Sequence, residues 1–315
     1  MTAGDQTIIV VGAGICGLAC ARRLVERGLA PVVLDKGRAA GGRVASRRTA
    51  EGYRFDHGAQ YFTVRDSGFR IAVEQALEHR AAGLWHDGSG RQRYVGIEGM
   101  SGFARFLAAG LDVRTGTQVS SIEKDGSCWK LEMPDGAMTA ERVVLTLPAP
   151  QTAVLLGIDH AFAEALQCVE FDPCLTLMVA TDGSVLPDFI HSSRADSDLA
   201  WLARDSSKPG RNTSGCWVAQ ASPDWSARHL EMEKAEIPAR MLPLFCRALG
   251  CNEDKIRHAE GHRWRYARVA KPLNRLFLRD DDATLYAGGD WCLEARVEAA
   301  WKSGRAIADD MVATV

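Results

Sequence analysis

Ile8-Ile9-Val10-Val11-Gly12-Ala13-Gly14-Ile15-Cys16-Gly17 decides how the rest of the chain is read. Four branched apolar residues in a row have no polar face. They read as a strand buried on both sides, as in a parallel sheet. Gly12-x-Gly14-x-x-Gly17 follows. Leu18, Ala21 and Val25 then recur at helical spacing, and Gly28 stands where a helix would stop. Gly12 permits the tight strand-to-helix turn, Gly14 lets a pyrophosphate approach bare backbone, and Gly17 lets the helix pack close to the strand. The helix start offers unpaired N–H groups and a positive dipole end to phosphates, so Ala13, Ile15 and Cys16 join the candidate contacts. A second strand, Pro31 to Leu34, leads into Asp35, 18 residues after Gly17, where a ribose-binding carboxylate belongs.

Around this unit the composition is that of an ordinary globular chain. It has 315 residues, 46% hydrophobic and 25% charged, enough for a sizeable core in one large or two moderate domains. A net charge of −2 gives no global pull toward nucleic acid or an anionic membrane, and neither is expected as a partner. Met1 to Gln6 carries Asp5 and no basic residue, unlike a secretory signal. The apolar run from Thr7 to Ala21 is short for a bilayer and is broken by three glycines. Nine scattered cysteines with no CxxC argue against a disulfide framework or a metal site and for a reducing cytoplasm.

Two further glycine motifs extend the dinucleotide unit. Gly41-Gly42-Arg43, close after Lys36, would let backbone and guanidinium close on a diphosphate from the far side. A nicotinamide-binding unit does not need this second element, whereas FAD-binding enzymes often have it. Near the other end, Leu285-Tyr286-Ala287 reads as a strand running into Gly288-Gly289-Asp290, with a helix from about Arg296 to Val312. In an FAD enzyme of this type Asp290 would bind the ribityl or pyrophosphate region. The helix start at Arg296 and Val297 would point N–H groups at the flavin edge that becomes anionic on reduction. The expected cofactor is noncovalent FAD. Cys292 stands two residues after Asp290, but it reads as a buried thiol rather than a point of attachment.

Tyr53-Arg54-Phe55-Asp56-His57-Gly58-Ala59-Gln60-Tyr61-Phe62-Thr63 and His262-Arg263-Trp264-Arg265-Tyr266-Ala267 resemble two signature segments of the renalase family, a branch of the amine-oxidase-like flavoproteins. The resemblance implies that His57, Gly58, Ala59 and Gln60 run beneath the flavin ring and into the active site. It implies that His262 to Ala267 is a strand lining the substrate side. Strand alternation puts His262, Trp264 and Tyr266 on one face and Arg263 and Arg265 on the other. An aromatic face with one imidazole suits a flat heteroaromatic substrate.

The resemblance implies oxidation of dihydronicotinamide isomers, 2- and 6-dihydroNAD(P), by hydride transfer to flavin N5, with reoxidation by O2 to give NAD(P)+ and hydrogen peroxide. A dihydronicotinamide gains aromaticity on losing its hydride, so positioning matters more than a strong base. His262 and Gln60 are expected to orient the carboxamide, and Trp264, Tyr61 and Tyr266 to shape the slot. The partners expected are the small dinucleotide substrate and O2, in a monomer or dimer. An amine oxidase, or a flavin-binding regulatory protein without turnover, remains open as an alternative.

The expected fold class is α/β: a Rossmann-like two-dinucleotide fold with a second, α+β substrate domain holding a mixed or antiparallel sheet. Residues 1–65, 96–155 and 280–315 make the discontinuous FAD-binding domain, and 66–95 and 156–279 the substrate-binding domain. Helices are expected over 68–83, 103–109 and, interrupted by Pro238 and Pro243, 231–249. Short strands at 119–123, 129–133 and 137–139, with turns at Asp125-Gly126 and Asp135-Gly136, form a β-meander. It leads to a buried strand at 143–147. Backbone at Val119 is the expected adenine contact. Leu175 to Ala180, Leu199 to Arg204 and Cys216 to Gln220 read as strands of the substrate side.

Overall fold

Ile8–Val11 lies in the middle of a six-stranded sheet whose order is Leu278–Arg279, Leu285–Ala287, Arg142–Leu145, Ile8–Val11, Val32–Asp35 and Asp112–Thr115. All neighbours are parallel except Leu278–Arg279, which pairs antiparallel with Leu285–Ala287. The computed structural model describes residues 7–185, 187–194 and 197–314. Both faces of this sheet are covered, as the unbroken apolar run requires. Ile8 and Val10 face one core, shared with Leu18, Leu24, Phe103 and Ile307. Ile9 and Val11 face a second core, shared with Trp129, Leu131, Leu285 and Trp291.

The first core is sealed by a helix crossing. Helix Ile15–Glu26 packs on the C-terminal helix Val297–Ala313, and Gly304 makes the approach possible. A Cβ on Gly304 would stand 2.1 Å from the Cys16 carbonyl oxygen. Gly17 serves the same end on the strand side, where a Cβ would lie 1.9 Å from the Gly12 oxygen.

The meander forms over Ser121–Asp125, Cys128–Met133 and Gly136–Ala140. Its loops lie one residue off the expected pairs, at Gly126-Ser127 and Pro134-Asp135. Val119 sits in the loop ahead of the first strand rather than in it. The strand at Asp112–Thr115 belongs to the parallel sheet and forms its edge.

A five-stranded antiparallel sheet makes the second half, ordered His191–Ser193, Leu199–Arg204, Cys216–Ala221, Glu170–Thr181 and Ile256–Lys271. One face packs on helix Ile237–Leu249 through Leu175, Leu177, Val179, Trp217, Met241 and Phe245. Pro238 falls in the first turn of that helix, where no N–H is needed, so the helix starts at Ile237 after a 3-10 turn over Lys234–Glu236. The other face turns toward the dinucleotide half, where Phe55 packs on Met178, Ala180 and Val218.

The helix expected over 68–83 ends at Glu78. Ala82–Leu84 then pairs with Tyr94–Gly96 as a small hairpin. Phe69 wedges between Phe62, Phe103 and Trp301, so this helix packs into the dinucleotide-side core. The loop beyond it, from Trp85 to Arg93, reaches the substrate half, through Trp85 to Ser207 and Asp87 to His191. No helix among the described residues is long and apolar enough to cross a membrane.

Candidate active site

The glycine motifs meet on one cleft of about 2020 Å³. Gly41 donates its N–H to the Ala13 carbonyl at 2.8 Å, and Gly42, at φ +53°, lies against the Cα of Gly14. Nothing stands within 4 Å of where a Cβ on Gly14 would be, so bare backbone faces open space there. Gly12, Gly14, Ile15, Cys16, Asp35, Lys36, Gly42 and Arg43 line the cleft. Ala13 and Gly17 lie just beneath it as buried supports. The Asp35 carboxylate accepts from Ala13 N–H and Gly37 N–H, one bond to each oxygen, both at 2.6 Å. Each oxygen keeps a lone pair for a ribose hydroxyl.

Two helices open their N-termini into this cleft. Helix Ile15–Glu26 has no side-chain cap and no acid in its first turn. The C-terminal helix has no cap either. Its one early acid, Glu298, turns away to accept from the backbone N–H of Arg65 and Asp66. Arg296 and Val297 line the cleft, and Arg296 is steadied by Thr63 Oγ1 at 2.8 Å. Uncapped helix starts over bare glycine are what a diphosphate and an anionic ring edge require.

Between these helix starts Arg43 forms a two-pronged pair with Asp290, at 2.9 Å and 2.5 Å. Gly289 is fixed by its N–H to Ser303 Oγ at 3.0 Å. Val119 lines the far end, and Thr117 next to it is tied to the Asp35 carbonyl at 2.9 Å. Cys292 is fully buried and does not line the cleft. Burial pushes its thiol up to about 12.

At the other end, His57, Gly58, Ala59, Tyr61, Trp201, Gln220, His262, Trp264 and Tyr266 line the cleft. His57 and His262 meet edge to face at 4.6 Å, and both rings touch Trp264. Trp264 Nε1 donates to the His57 carbonyl at 2.7 Å. Gly58 is needed because a Cβ there would lie 2.1 Å from the Arg43 carbonyl and 3.3 Å from the Trp264 ring. Burial, with Arg47 nearby, lowers His57 to about 4. Burial, then His57, Lys234 and Arg47, lowers His262 to about 3. Both imidazoles are therefore neutral near pH 7, and the Nδ1 of each is buried without a hydrogen-bond partner among the described residues.

Of the expected positions, Gln60 falls elsewhere and Tyr266 lines the cleft away from the other aromatics. The Gln60 amide turns into the protein rather than the cleft. Nε2 donates to the carbonyls of Asp56 and Gly58, and Oε1 accepts from Lys208 Nζ at 3.2 Å. Tyr266 reaches the rim but packs on Phe171, apart from the His57–His262–Trp264 set. The strand pairing slips between Cys174↔Trp264 and Asp172↔Arg268, which breaks the simple alternation. Arg263 and Arg265 bond outward to Leu230, Met232 and Glu231.

Sequence assigns no role to three features of the cleft and its support. Gln220 faces the cleft and donates to the Gly58 carbonyl at 2.7 Å. Trp201 forms a wall 5.7 Å from the Tyr61 ring. Lys208, fully buried, joins Asp56 at 3.0 Å and Asp205 at 2.6 Å, and Arg211 pairs with the same two acids. Burial alone would raise the Asp56 carboxyl, but Lys208 and Arg211 hold it down at about 2. This closed four-charge cluster pins the His57 segment to the loop over 205–211.

The cleft is strongly basic. Among its described lining residues twelve are Lys or Arg and five are Asp, in a chain whose net charge is −2.

Family comparison decides what the cleft holds. The NAD(P)-binding Rossmann-like domain matches residues 10–72, and the flavin containing amine oxidoreductase family matches 67–312. The chain belongs to the flavin containing amine oxidoreductases. A protein assigned as a protoporphyrinogen oxidase from an Exiguobacterium species superposes with a TM-score of 0.78, over 98% of both chains at 14% identity. Putrescine oxidase bound to putrescine gives 0.74, over 98% of this chain and 99% of that one, also at 14% identity. These likenesses speak for the fold. The cofactor of this flavin containing amine oxidoreductase is FAD, and the uncapped helix starts, the open face of Gly14 and the size of the cleft fit it.

Proposed function

We propose that this oxidoreductase is a renalase-like oxidase of dihydronicotinamide isomers reduced at the 2- or 6-position. The substrate gives up a hydride and leaves as NAD(P)+, while O2 takes up the two electrons and the hydrogen of that hydride together with one proton from solvent, giving hydrogen peroxide. FAD, held noncovalently, supplies the hydride acceptor and the route to O2.

The basic lining carries this reading. Lys36, Arg43 and Arg296 stand at the cofactor end and Arg263 and Arg265 bond outward, and an oligophosphate substrate gains from the cationic side chains left in the lining where an ammonium substrate does not. The proposed duty of the remaining residues is positional. His57 and His262, uncharged, form the floor of a flat slot with Trp264 and leave hydride loss unopposed by a nearby cation on either ring. Tyr61 and Trp201 form its wall. The carboxamide is oriented by His262 Nδ1 and by Gln220, whose Oε1 stays available after Nε2 donates to Gly58. Gln220 thus takes the place that sequence reading gave to Gln60.

The test is stoichiometric. Purified holoprotein supplied with 6-dihydroNAD or 2-dihydroNAD should consume one O2 and release one hydrogen peroxide for each NAD+ formed. No oxygen uptake with either isomer would sink the reading. The family name and the fold shared with a putrescine oxidase favour an amine as second reading. The charge of the cleft argues against it.

A further inference from the structure

Behind the Tyr61–Trp201 wall lies a buried cation that the proposed chemistry does not use. Arg93 is 6% exposed and is not among the cleft-lining residues. Its guanidinium carbon lies 4.2 Å from the centroid of the Tyr61 ring and 5.4 Å from that of Trp201. Asp87, 4% exposed, forms its ion pair. His191 bridges the two: Nε2 is 3.3 Å from Arg93 Nη1, and Nδ1 is 3.2 Å from the Asp87 carbonyl. A single neutral tautomer satisfies both bonds, with Nδ1–H donating and Nε2 accepting. The hairpin fixes the site, because Trp85 N–H donates to the Arg93 carbonyl at 2.8 Å.

A buried ion pair is costly to desolvate, and an apolar filling would stabilise the wall as well. The placement of the cation, rather than stability, is therefore what the arrangement achieves. An aromatic face attracts cations through its quadrupole. The Tyr61 face toward Arg93 is already taken by a guanidinium. A second cation on the cleft side meets a ring whose π density is drawn the other way, and it meets the guanidinium's charge through the ring.

We propose that Arg93 is a specificity-determining residue: from behind Tyr61 and Trp201 it makes the cleft's aromatic wall reject a positive charge. The wall then accepts a neutral dihydropyridine and excludes ammonium substrates. This deepens the reading above by naming what the slot excludes.

The test needs no turnover, so it stands apart from that reading. Oxidised FAD holoprotein is titrated with phenyltrimethylammonium and with its neutral counterpart N,N-dimethylaniline, following the flavin absorbance. The wild type should bind the neutral probe more tightly. Arg93→Gln should shift the ratio toward the cation by roughly 3- to 30-fold, the range of one cation–π contact. Arg93→Lys should keep most of the discrimination. Asp87→Asn, which removes the countercharge, should move the ratio the opposite way and gives an independent reading if Arg93→Gln folds poorly. Equal loss of both probes in Arg93→Gln would mean a merely structural wall and would overturn the proposal. So would no preference between the probes in the wild type.

Discussion

Arg43 and Asp290, 247 residues apart in sequence, meet as a two-pronged ion pair in the middle of the cleft. One comes from the glycine loop after the ribose acid and the other from the glycine turn before the last helix. The pair ties the two ends of the cofactor region to each other. Removing one partner strands a half-buried charge beside the diphosphate region. Arg43→Met is expected to weaken FAD binding by about tenfold or more. Asp290→Asn is expected to do so less. Fluorescence titration of apoprotein with FAD measures both, and unchanged affinity in Arg43→Met would remove the pair from cofactor binding.

Gln60 and Gln220 divide structural and positional work. Gln60→Ala leaves Lys208 and two buried carbonyls short of a partner, so a loss of about 1–3 kcal/mol of stability is expected. Gln220→Ala should leave the denaturation midpoint nearly unmoved but slow flavin reduction by dihydronicotinamides in rapid mixing. The reverse pattern would give the positional role to Gln60.

His57 and His262 are held neutral, at about 4 and about 3, below the ordinary histidine value of about 6.5. The unfolded chain therefore binds more protons than the native one between those values. Stability is full above about pH 6.5 and falls as pH drops toward 4. Thermal midpoints measured from pH 7.5 to 4.5 should fall, and His57→Asn with His262→Asn should flatten that slope. An unchanged slope in the double variant would place the acid sensitivity elsewhere.

Gly304 sets the helix crossing beneath the phosphate region. Gly304→Val puts carbon into the space held by the Cys16 carbonyl, so roughly 3 kcal/mol of destabilisation is expected, with loss of FAD because the first helix start must shift. A stable, yellow Gly304→Val protein would contradict this packing account.

What sequence could reveal followed from local sterics. The glycines of residues 12–17, 41–42 and 288–289 announce turns and close approaches that depend on their immediate neighbours, and the structure sets all three around one cleft. The direction of Gln60 depends instead on Lys208, 148 residues away. Trp201 was hidden because the pairing of its strand slips between Leu199 and Trp201, so alternation does not tell which side faces the cleft. Arg93 reads as one more surface arginine until Asp87, His191 and Tyr61 are seen around it. The helix expected over 68–83 stopped early because Ala82–Leu84 found a strand partner in Tyr94–Gly96, a pairing no local propensity encodes.

The proposed choice of a neutral dihydronicotinamide over an amine is open to direct measurement. Anaerobic titration of the purified yellow protein with 2- and 6-dihydroNAD, beside ordinary NADH, putrescine and benzylamine, addresses it most directly. Bleaching of the flavin at one equivalent of an isomer, with none from the amines, is the result expected. Bleaching by an amine while both isomers leave the spectrum untouched would contradict it.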